Sequence, residues 1–242
     1  MSRVSVVIPW RGGCEHRERA LNHVLNRYHR THPEWLVALT GDRAQRRGWS
    51  KGAALYPALL AAEGEIVVVA DADVITDATE AVEAVRDGAA WAVPHRGVHR
   101  LTEDSTDRFI AGESWADLPL DQRPYLGVRG GGVLVAPRAV LLDIPLDPRF
   151  VGWGQEDESW GYALETLLGV PWRGQEPLIH MWHPPQARVT RSRGSVEGWR
   201  LRCRYARAIH DRDAMRSLVK EAKDAALELD LPPVRSVHRV GV

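Results

Sequence analysis

The chain has 242 residues, 44% hydrophobic and 26% charged, proportions that suit a globular protein of one large domain or two small ones and argue against disorder. Lys+Arg and Asp+Glu are both 32, so no global field that would draw in a polyanion can be argued, and local charge must carry any such claim. Cys14 and Cys203 are too far apart to imply a disulfide framework, the chain enters a strand pattern without a signal-peptide pattern, and no apolar run approaches membrane-spanning length, which together predict a reducing, cytoplasmic setting.

Val4 to Pro9 reads as a buried strand, with Trp10-Arg11-Gly12-Gly13 as the loop after it. Glu15 to Tyr28 carries Ala20, Leu21, Val24, Leu25 and Tyr28 at helical spacing, with Arg and His on the other face. Leu36 to Thr40 is a short strand broken by Gly41-Asp42. Ser50 can cap a helix through Ala62, in which Pro57 predicts a kink or a later start.

Glu65 to Val74 is an apolar, β-branched run that ends in Asp71-Ala72-Asp73. Without a polar alternation it predicts a strand buried on both faces, and ligands of open α/β sheets sit beyond the carboxyl ends of such strands. Two carboxylates one residue apart repel each other unless a cation lies between them, which points to a hard divalent ion and a phosphate held by it. Asp77-Ala-Thr-Glu80 has a capping-box pattern for a helix ending near Gly88, and Ala90 to Pro94 reads as the next strand. Such alternation predicts βαβ units with right-handed crossovers.

Residues 95–129 are more polar, with a helix predicted from Thr102 to Gly112; they fit an acceptor-side insertion or a lid. Gly130-Gly131-Gly132 precedes a strand from Val133 to Pro137 and is read equally as a close approach to a ligand or as a flexible turn. Gly152-Trp153-Gly154-Gln155-Glu156-Asp157 leads into a helix ending near Gly169. Acids at a helix start often serve only as caps, but the glycines present an indole beside carboxylates, an arrangement that suits stacking on a sugar ring. Pro177 to Trp182 is a last strand, and His180 and His183 at its end offer a further metal ligand. Beyond Arg188, the residues Arg191, Arg193, Arg200, Arg202, Arg204 and Arg207 fall in a predicted helix pair closing near Pro232. An amphipathic tail with Trp199, Leu201, Tyr205 and Ile209 facing inward is favoured over a dedicated polyanion site.

Taken together, Val6 to Arg11, Lys51-Gly52, Gly64-Glu65 leading to the Asp71-Ala72-Asp73 DXD motif, the glycine triplet, Phe150 to Asp157 and His180-Met-Trp-His-Pro-Pro resemble the GT-A glycosyltransferases. The likeness is to the family 2 type and to related galactosyl- and N-acetylgalactosaminyltransferases with a Gly-Trp-Gly-x-Glu-Asp motif. It implies an α/β, GT-A (Rossmann-like) single domain: a central, mainly parallel mixed sheet flanked by helices, plus a C-terminal helical extension. Residues 1–185 would form the catalytic domain, with 1–94 as the nucleotide-sugar half and 95–185 as the acceptor half, and 186–242 would be the extension.

The resemblance implies an inverting transfer from a nucleotide-sugar donor, usually a UDP-sugar, whose diphosphate is bridged by Mn²⁺ or Mg²⁺. Pro9, Trp10, Arg11 and Asp42 would face the nucleotide, with Lys51, Asp71 and Ala72 near the donor. Asp73 would bind the metal together with one of His180 and His183. Asp157 would be the general base on the wall opposite Asp71, and Trp153, Gly154, Glu156, Gly131 and Gly132 would hold the acceptor. Trp10 stands where the family often has a smaller or polar residue, and Pro57 interrupts a helix that the family keeps regular. The acceptor is left open: a glycan, a small molecule, a protein or a modified nucleic-acid base. The alternatives are a non-catalytic nucleotide-sugar or glycan-binding homologue and a phosphohydrolase of the haloacid dehalogenase type. The latter ranks low because Val74-Ile75 follows the motif and two strand-helix units precede it.

Overall fold

The computed structural model describes residues 3–41, 48–185 and 194–229, so Asp42, Arg191, Arg193 and the Pro232-Pro233 terminus lie outside the described residues. In chain order the elements are β1 (Val4–Pro9), α1 (Glu15–Thr31), β2 (Leu36–Thr40), α2 (Lys51–Ala61), β3 (Ile66–Ala70), β4 (Val74–Ile75), α3 (Thr79–Arg86) and β5 (Ala92–Arg100). They continue with α4 (Glu103–Ile110), β6 (Val133–Pro137), α5 (Arg138–Asp143), α6 (Glu156–Leu168), β7 (Trp172–His180), α7 (Val196–Arg207) and α8 (Arg212–Leu227).

The strands form one seven-stranded mixed sheet of order β2-β1-β3-β6-β5-β7-β4, flanked by helices. The absence of a polar alternation in β1 and β3 has a direct cause: both faces are covered. Val4, Val6 and Ile8 of β1 and Ile66, Val68 and Ala70 of β3 point into one core, lined by Leu21 and Val24 of α1 and by Val82 of α3. Val7, Val67 and Val69 point into the other, with Leu55 and Leu59 of α2, Leu141 of α5, Trp160 of α6 and Met215 of α8. Transfer of these side chains from water stabilises the fold by roughly 25 cal/mol per Å² of apolar surface removed.

Parallel pairing is less extensive than strand-helix alternation predicts. It joins β1 to β2, β1 to β3 and β5 to β7, whereas β6 runs antiparallel to both β3 and β5, and β4 runs antiparallel to β7. Alternation records that a helix intervenes, but the direction of return is set by which neighbour the strand finds. The predicted run from Glu65 to Val74 is also two strands: β3 stops at Ala70, and Val74-Ile75 leaves to pair with Ile179 and His180.

Local signals fared unevenly. Ser50 caps α2, accepting from the Ala53 amide at 3.2 Å, and Pro57 sits within the helix without moving its start. The capping box at Asp77 is displaced. Asp77 Oδ1 accepts from the Thr79 amide at 2.9 Å and the Thr79 hydroxyl at 2.6 Å, so the acid makes a local turn and α3 starts at Thr79. β5 runs on to Arg100 and β7 begins at Trp172, both longer than their apolar cores suggest, because the two pair with each other. The 95–129 stretch closes on itself, with Tyr125 bridging to Val98 and Leu120 to Leu101.

The C-terminal helices are tied to the loop that leads into α6. Arg149 donates to both oxygens of the buried Asp147, at 2.9 and 2.6 Å, and to Glu221 of α8 at 2.6 Å. The Tyr205 hydroxyl of α7 donates to Asp147 at 2.9 Å, and Arg204 chelates Glu221 at 2.7 and 2.8 Å. The inward face predicted for the tail holds for Tyr205, while Trp199, Leu201 and Ile209 are half-buried.

Candidate active site

Because β1 and β3 are parallel neighbours, Pro9 and Ala70 finish at the same edge of the sheet. Antiparallel β6 starts there, with Val133 opposite Ala70, which brings the glycine triplet to the same edge. Val74 of β4 lies opposite His180, and the Met181 amide donates to the Asp73 carbonyl at 2.9 Å. The turn Asp71–Asp73 is therefore bordered by the glycine loop on one side and the end of β7 on the other.

Asp73, His180 and His183 form a triad in which one ligand atom from each lies within 4.8 Å of the others. The sequence motif offered one of the two histidines; the fold brings both to Asp73. Nδ1 of His183 is 2.9 Å from the Pro184 carbonyl, which can only accept, so Nδ1 carries a proton. Nε2 is 3.2 Å from Asp73 Oδ2. Backbone fixation of the other ring nitrogen is what orients a metal-binding imidazole. Nδ1 of His180 is buried without a hydrogen-bond partner. Burial, reinforced by Arg100 and His183 and opposed by Asp73 and Asp71, pushes the His180 pKa down to about 4, which keeps the ring neutral. Burial alone would protonate Asp73, but His180, His183 and Arg17 outweigh it and hold the carboxyl well below its usual range. A carboxylate and two imidazoles whose ligand atoms converge in this way fit a divalent ion.

The second cluster centres on Lys51, at the first turn of α2. Its Nζ lies 2.6 Å from Asp71 Oδ1 and 2.8 Å from Asp157 Oδ1, and its side chain is only 10% exposed. Asp71 and Asp157 thus share one ammonium. The reason is the glycine triplet. At Gly130 a Cβ would collide with the Asp157 carbonyl, and at Gly131 it would stand 3.1 Å from Asp157 Oδ2. The missing side chains let the start of α6 lie against the loop, so that Asp157 reaches Lys51. The Gly132 amide donates to Asp71 Oδ2 at 3.2 Å, and its carbonyl accepts from the Asp71 amide at 2.8 Å.

The acids of this cluster carry unusual electrostatics. Desolvation works against the charge of Lys51, yet Asp157 and Asp71 more than compensate and raise its pKa. Desolvation raises Asp157, with Asp71 and Asp73 adding to it and Lys51 opposing. Glu156 is pushed up to about 8, first by desolvation and then by Asp157, and its Oε2 is buried without a partner. Its pKa is raised above the unfolded value of 4.5, so its contribution to stability is fully present below that value and is lost as pH rises through about 8. Glu156→Gln is expected to remove this loss, gaining thermal stability over the parent progressively between pH 5 and pH 8.5. Melting curves across that range would show it, and an unchanged difference from the parent would exclude Glu156 as the titrating group.

The remaining predicted residues are dispersed. Pro9 is buried at the end of β1, Trp10 is half-buried with its amide donating to the Thr40 carbonyl at 2.7 Å, and Arg11 is exposed. Ala72 is buried between the two acids. Gly154 lies beside Gly194, where a Cβ would meet the Trp153 carbonyl, so the Gly-Trp-Gly loop rests on the segment entering α7. Gln155 takes a left-handed conformation (φ 72°), the single non-glycine among the described residues with positive φ. Its Oε1 accepts from the Gly194 amide at 3.2 Å. Backbone strain of this kind costs about 1–3 kcal/mol and clusters at functional loops. Of the C-terminal arginines, Arg202 is bound to Glu158 at 2.8 Å and Arg204 to Glu221, which reduces the charge available to a polyanion.

Two residues escaped the sequence reading. Arg17 of α1 reaches the Asp73, His180 and His183 triad, with Nη2 3.2 Å from His183 Nε2. A signal existed: Arg17 extends the buried stripe of Ala20, Leu21, Val24 and Tyr28 back by one turn, toward the end of α1 that begins at the site. His95 is buried under Gly132, where its Nε2 would be 3.4 Å from an added Cβ, and burial with help from Arg173 lowers its pKa to about 4. Nothing local in β5 marks it.

No protein-family profile and no curated protein matches the chain. Solved structures with a similar chain path include the catalytic domain of Drosophila beta1,4-galactosyltransferase 7 in complex with xylobiose, at 13% identity and TM-score 0.43, covering 72% of this chain and 65% of that one. This chain thus spans 65% of the length of that relative. Glucosyl-3-phosphoglycerate synthase from Mycobacterium tuberculosis with Mg²⁺ and UDP is also similar, at 15% identity and TM-score 0.45, covering 77% of this chain and 73% of that one. The same enzyme with Mn²⁺, UDP-glucose and phosphoglyceric acid gives 15% identity, TM-score 0.46 and coverage of 90% and 80%. Likeness at this level bears on neither the donor nor the reaction.

Proposed function

We propose that this chain is a metal-dependent glycosyltransferase of the GT-A kind, transferring a sugar from a nucleotide diphosphate sugar, in the first instance a UDP-sugar, to an acceptor hydroxyl with inversion. The observation that carries this reading is the Asp73, His180 and His183 triad lying along one sheet edge with the Lys51, Asp71 and Asp157 cluster. When bound, a divalent ion would neutralise charge developing on the departing diphosphate. Two imidazoles beside one carboxylate favour Mn²⁺ over Mg²⁺, which prefers oxygen.

The protein side of the chemistry follows from the residues. Asp157 would take the proton of the acceptor hydroxyl: its pKa is raised by desolvation, which makes it a stronger base, and its Oδ2 stands over Gly131 while Oδ1 is engaged by Lys51. Lys51 would hold Asp71 and Asp157 apart from full mutual repulsion and keep a positive charge beside the donor. Glu156, Trp153, Gly154, Gly131 and Gly132 would form the acceptor side; Pro9, Trp10, Arg11, Asp42 and Ala72 the nucleotide side. In this reading residues 1–94 and 95–185 are the donor and acceptor halves, and 186–242 are an extension whose helices α7 and α8 are braced by Asp147 and Arg149. Free thiols at Cys14 and Cys203 suit a reducing cytoplasm, and among the described residues no helix is long and apolar enough to cross a membrane. A phosphohydrolase would need Asp71 as a free nucleophile, whereas both its oxygens are engaged, by Lys51 and the Gly132 amide.

The test is calorimetric titration with UDP in the presence and absence of Mn²⁺. The parent is expected to bind UDP about tenfold or more tightly with Mn²⁺, and Asp73→Asn to lose that enhancement. Equal enhancement in Asp73→Asn would place the metal elsewhere.

A further inference from the structure

The cation at the triad is Arg17, which the metal reading leaves without a role. Its Nη2 lies 3.2 Å from Nε2 and 3.4 Å from Nδ1 of His183. Its Nε lies 3.9 Å from Asp73 Oδ2 and is buried without a hydrogen-bond partner. An Nη2 nearly equidistant from the two ring nitrogens lies over the imidazole face, so Arg17 and a metal ion would meet at His183 as like charges rather than on one lone pair. Asp73 is likewise the carboxylate that answers either charge.

Resting on the metal-site reading above, we propose that Arg17 is a resident cation of the site. Without metal it lies against His183 and beside Asp73 and supplies the positive charge there. When a divalent ion takes those two groups, Arg17 is displaced and becomes a second anchor for the diphosphate of the donor. Its side chain is 22% exposed although Nε itself is buried. Its planar fork of donors matches a phosphate in a way that an ammonium does not. Metal and Arg17 thus compete in the free protein and act together once an anion is present.

Competition and cooperation have opposite signs, which makes them separable. Full-length parent, Arg17→Gln, Arg17→Lys and Asp73→Asn are titrated with MnCl₂ alone and then with UDP in saturating Mn²⁺, after melting curves establish that each is folded. Arg17→Gln is expected to bind Mn²⁺ alone about five- to tenfold more tightly, because a like charge has been removed. It should bind UDP with Mn²⁺ about tenfold more weakly, because a phosphate donor has been lost. Arg17→Lys should return Mn²⁺ affinity toward the parent and recover only part of the UDP affinity. Unchanged Mn²⁺ affinity in Arg17→Gln overturns the resident-cation role, and unchanged UDP affinity overturns the diphosphate role. The outcome that sinks the underlying site is different: Asp73→Asn binding Mn²⁺ as well as the parent.

Discussion

Asp157→Asn is expected to lower sugar transfer by about 10²–10⁴-fold while leaving UDP and Mn²⁺ affinity within about threefold of the parent, the range typical of losing one general base. The side chain keeps its volume and an oxygen that can accept from Lys51, now 2.8 Å from Asp157 Oδ1, and Lys51 retains its 2.6 Å contact with Asp71. The fold should therefore persist. What disappears is a carboxylate whose pKa desolvation has raised, and with it the acceptor for the hydroxyl proton. Product formation at saturating donor, set beside UDP calorimetry on the same preparation, separates the two effects. Transfer at the parental rate would move the base to another residue, and a parallel loss of UDP affinity would make Asp157 a donor-binding group instead.

The largest stability effect is expected for Lys51→Met, which nearly preserves volume and removes the charge that Asp71 and Asp157 share. Taking one partner from a buried ion pair costs about 3–5 kcal/mol. The acids here are 29% and 24% exposed, so screening puts the expected loss nearer about 2–3 kcal/mol, or roughly 5–10 °C in Tm for a chain of this size. The sign with pH discriminates this from a packing defect. Without Lys51, the carboxyls of Asp157 and Glu156 face Asp71 uncompensated, and the folded pKa values of Asp157 and Glu156 rise further above the unfolded ones. Stability tied to such groups is intact below the unfolded pKa and is lost as pH rises through the folded pKa. The defect should be small near pH 4.5 and full at pH 8. Urea unfolding at both pH values measures it, and equal losses at the two would assign the effect to packing.

Much of the strand-end site is legible before folding because its information is local. The acids Asp71 and Asp73 end an unbroken apolar run, and the run alone says buried strand; Ser50 before an apolar helix says start, and Ser50 does cap α2. The same stretches also mislead where a partner decides. Glu65 to Val74 reads as one strand because Val74 and Ile75 are β-branched like the residues before Ala70, yet they pair with Ile179 and His180. Asp77 reads as a helix cap but is spent on Thr79. The glycine triplet reads equally as ligand approach or flexible turn, and what its neighbours add is that its missing side chains admit the start of α6.

The sequence by itself determined the two-sided burial of the central strands, the position of the paired acids at a strand end and the identity of the residues able to carry metal and base chemistry. These follow from side-chain type and from periods of 2 and 3.6 residues, which act within a few positions of the chain. The tertiary structure alone decided that Lys51 joins Asp71 to Asp157, that both histidines reach Asp73 and that Arg17 lies against His183. Those contacts link residues up to 166 positions apart, as Arg17 and His183 are. They depend on β6 and β4 entering antiparallel to their neighbours, a choice made by packing and backbone pairing across the whole sheet rather than by any local preference.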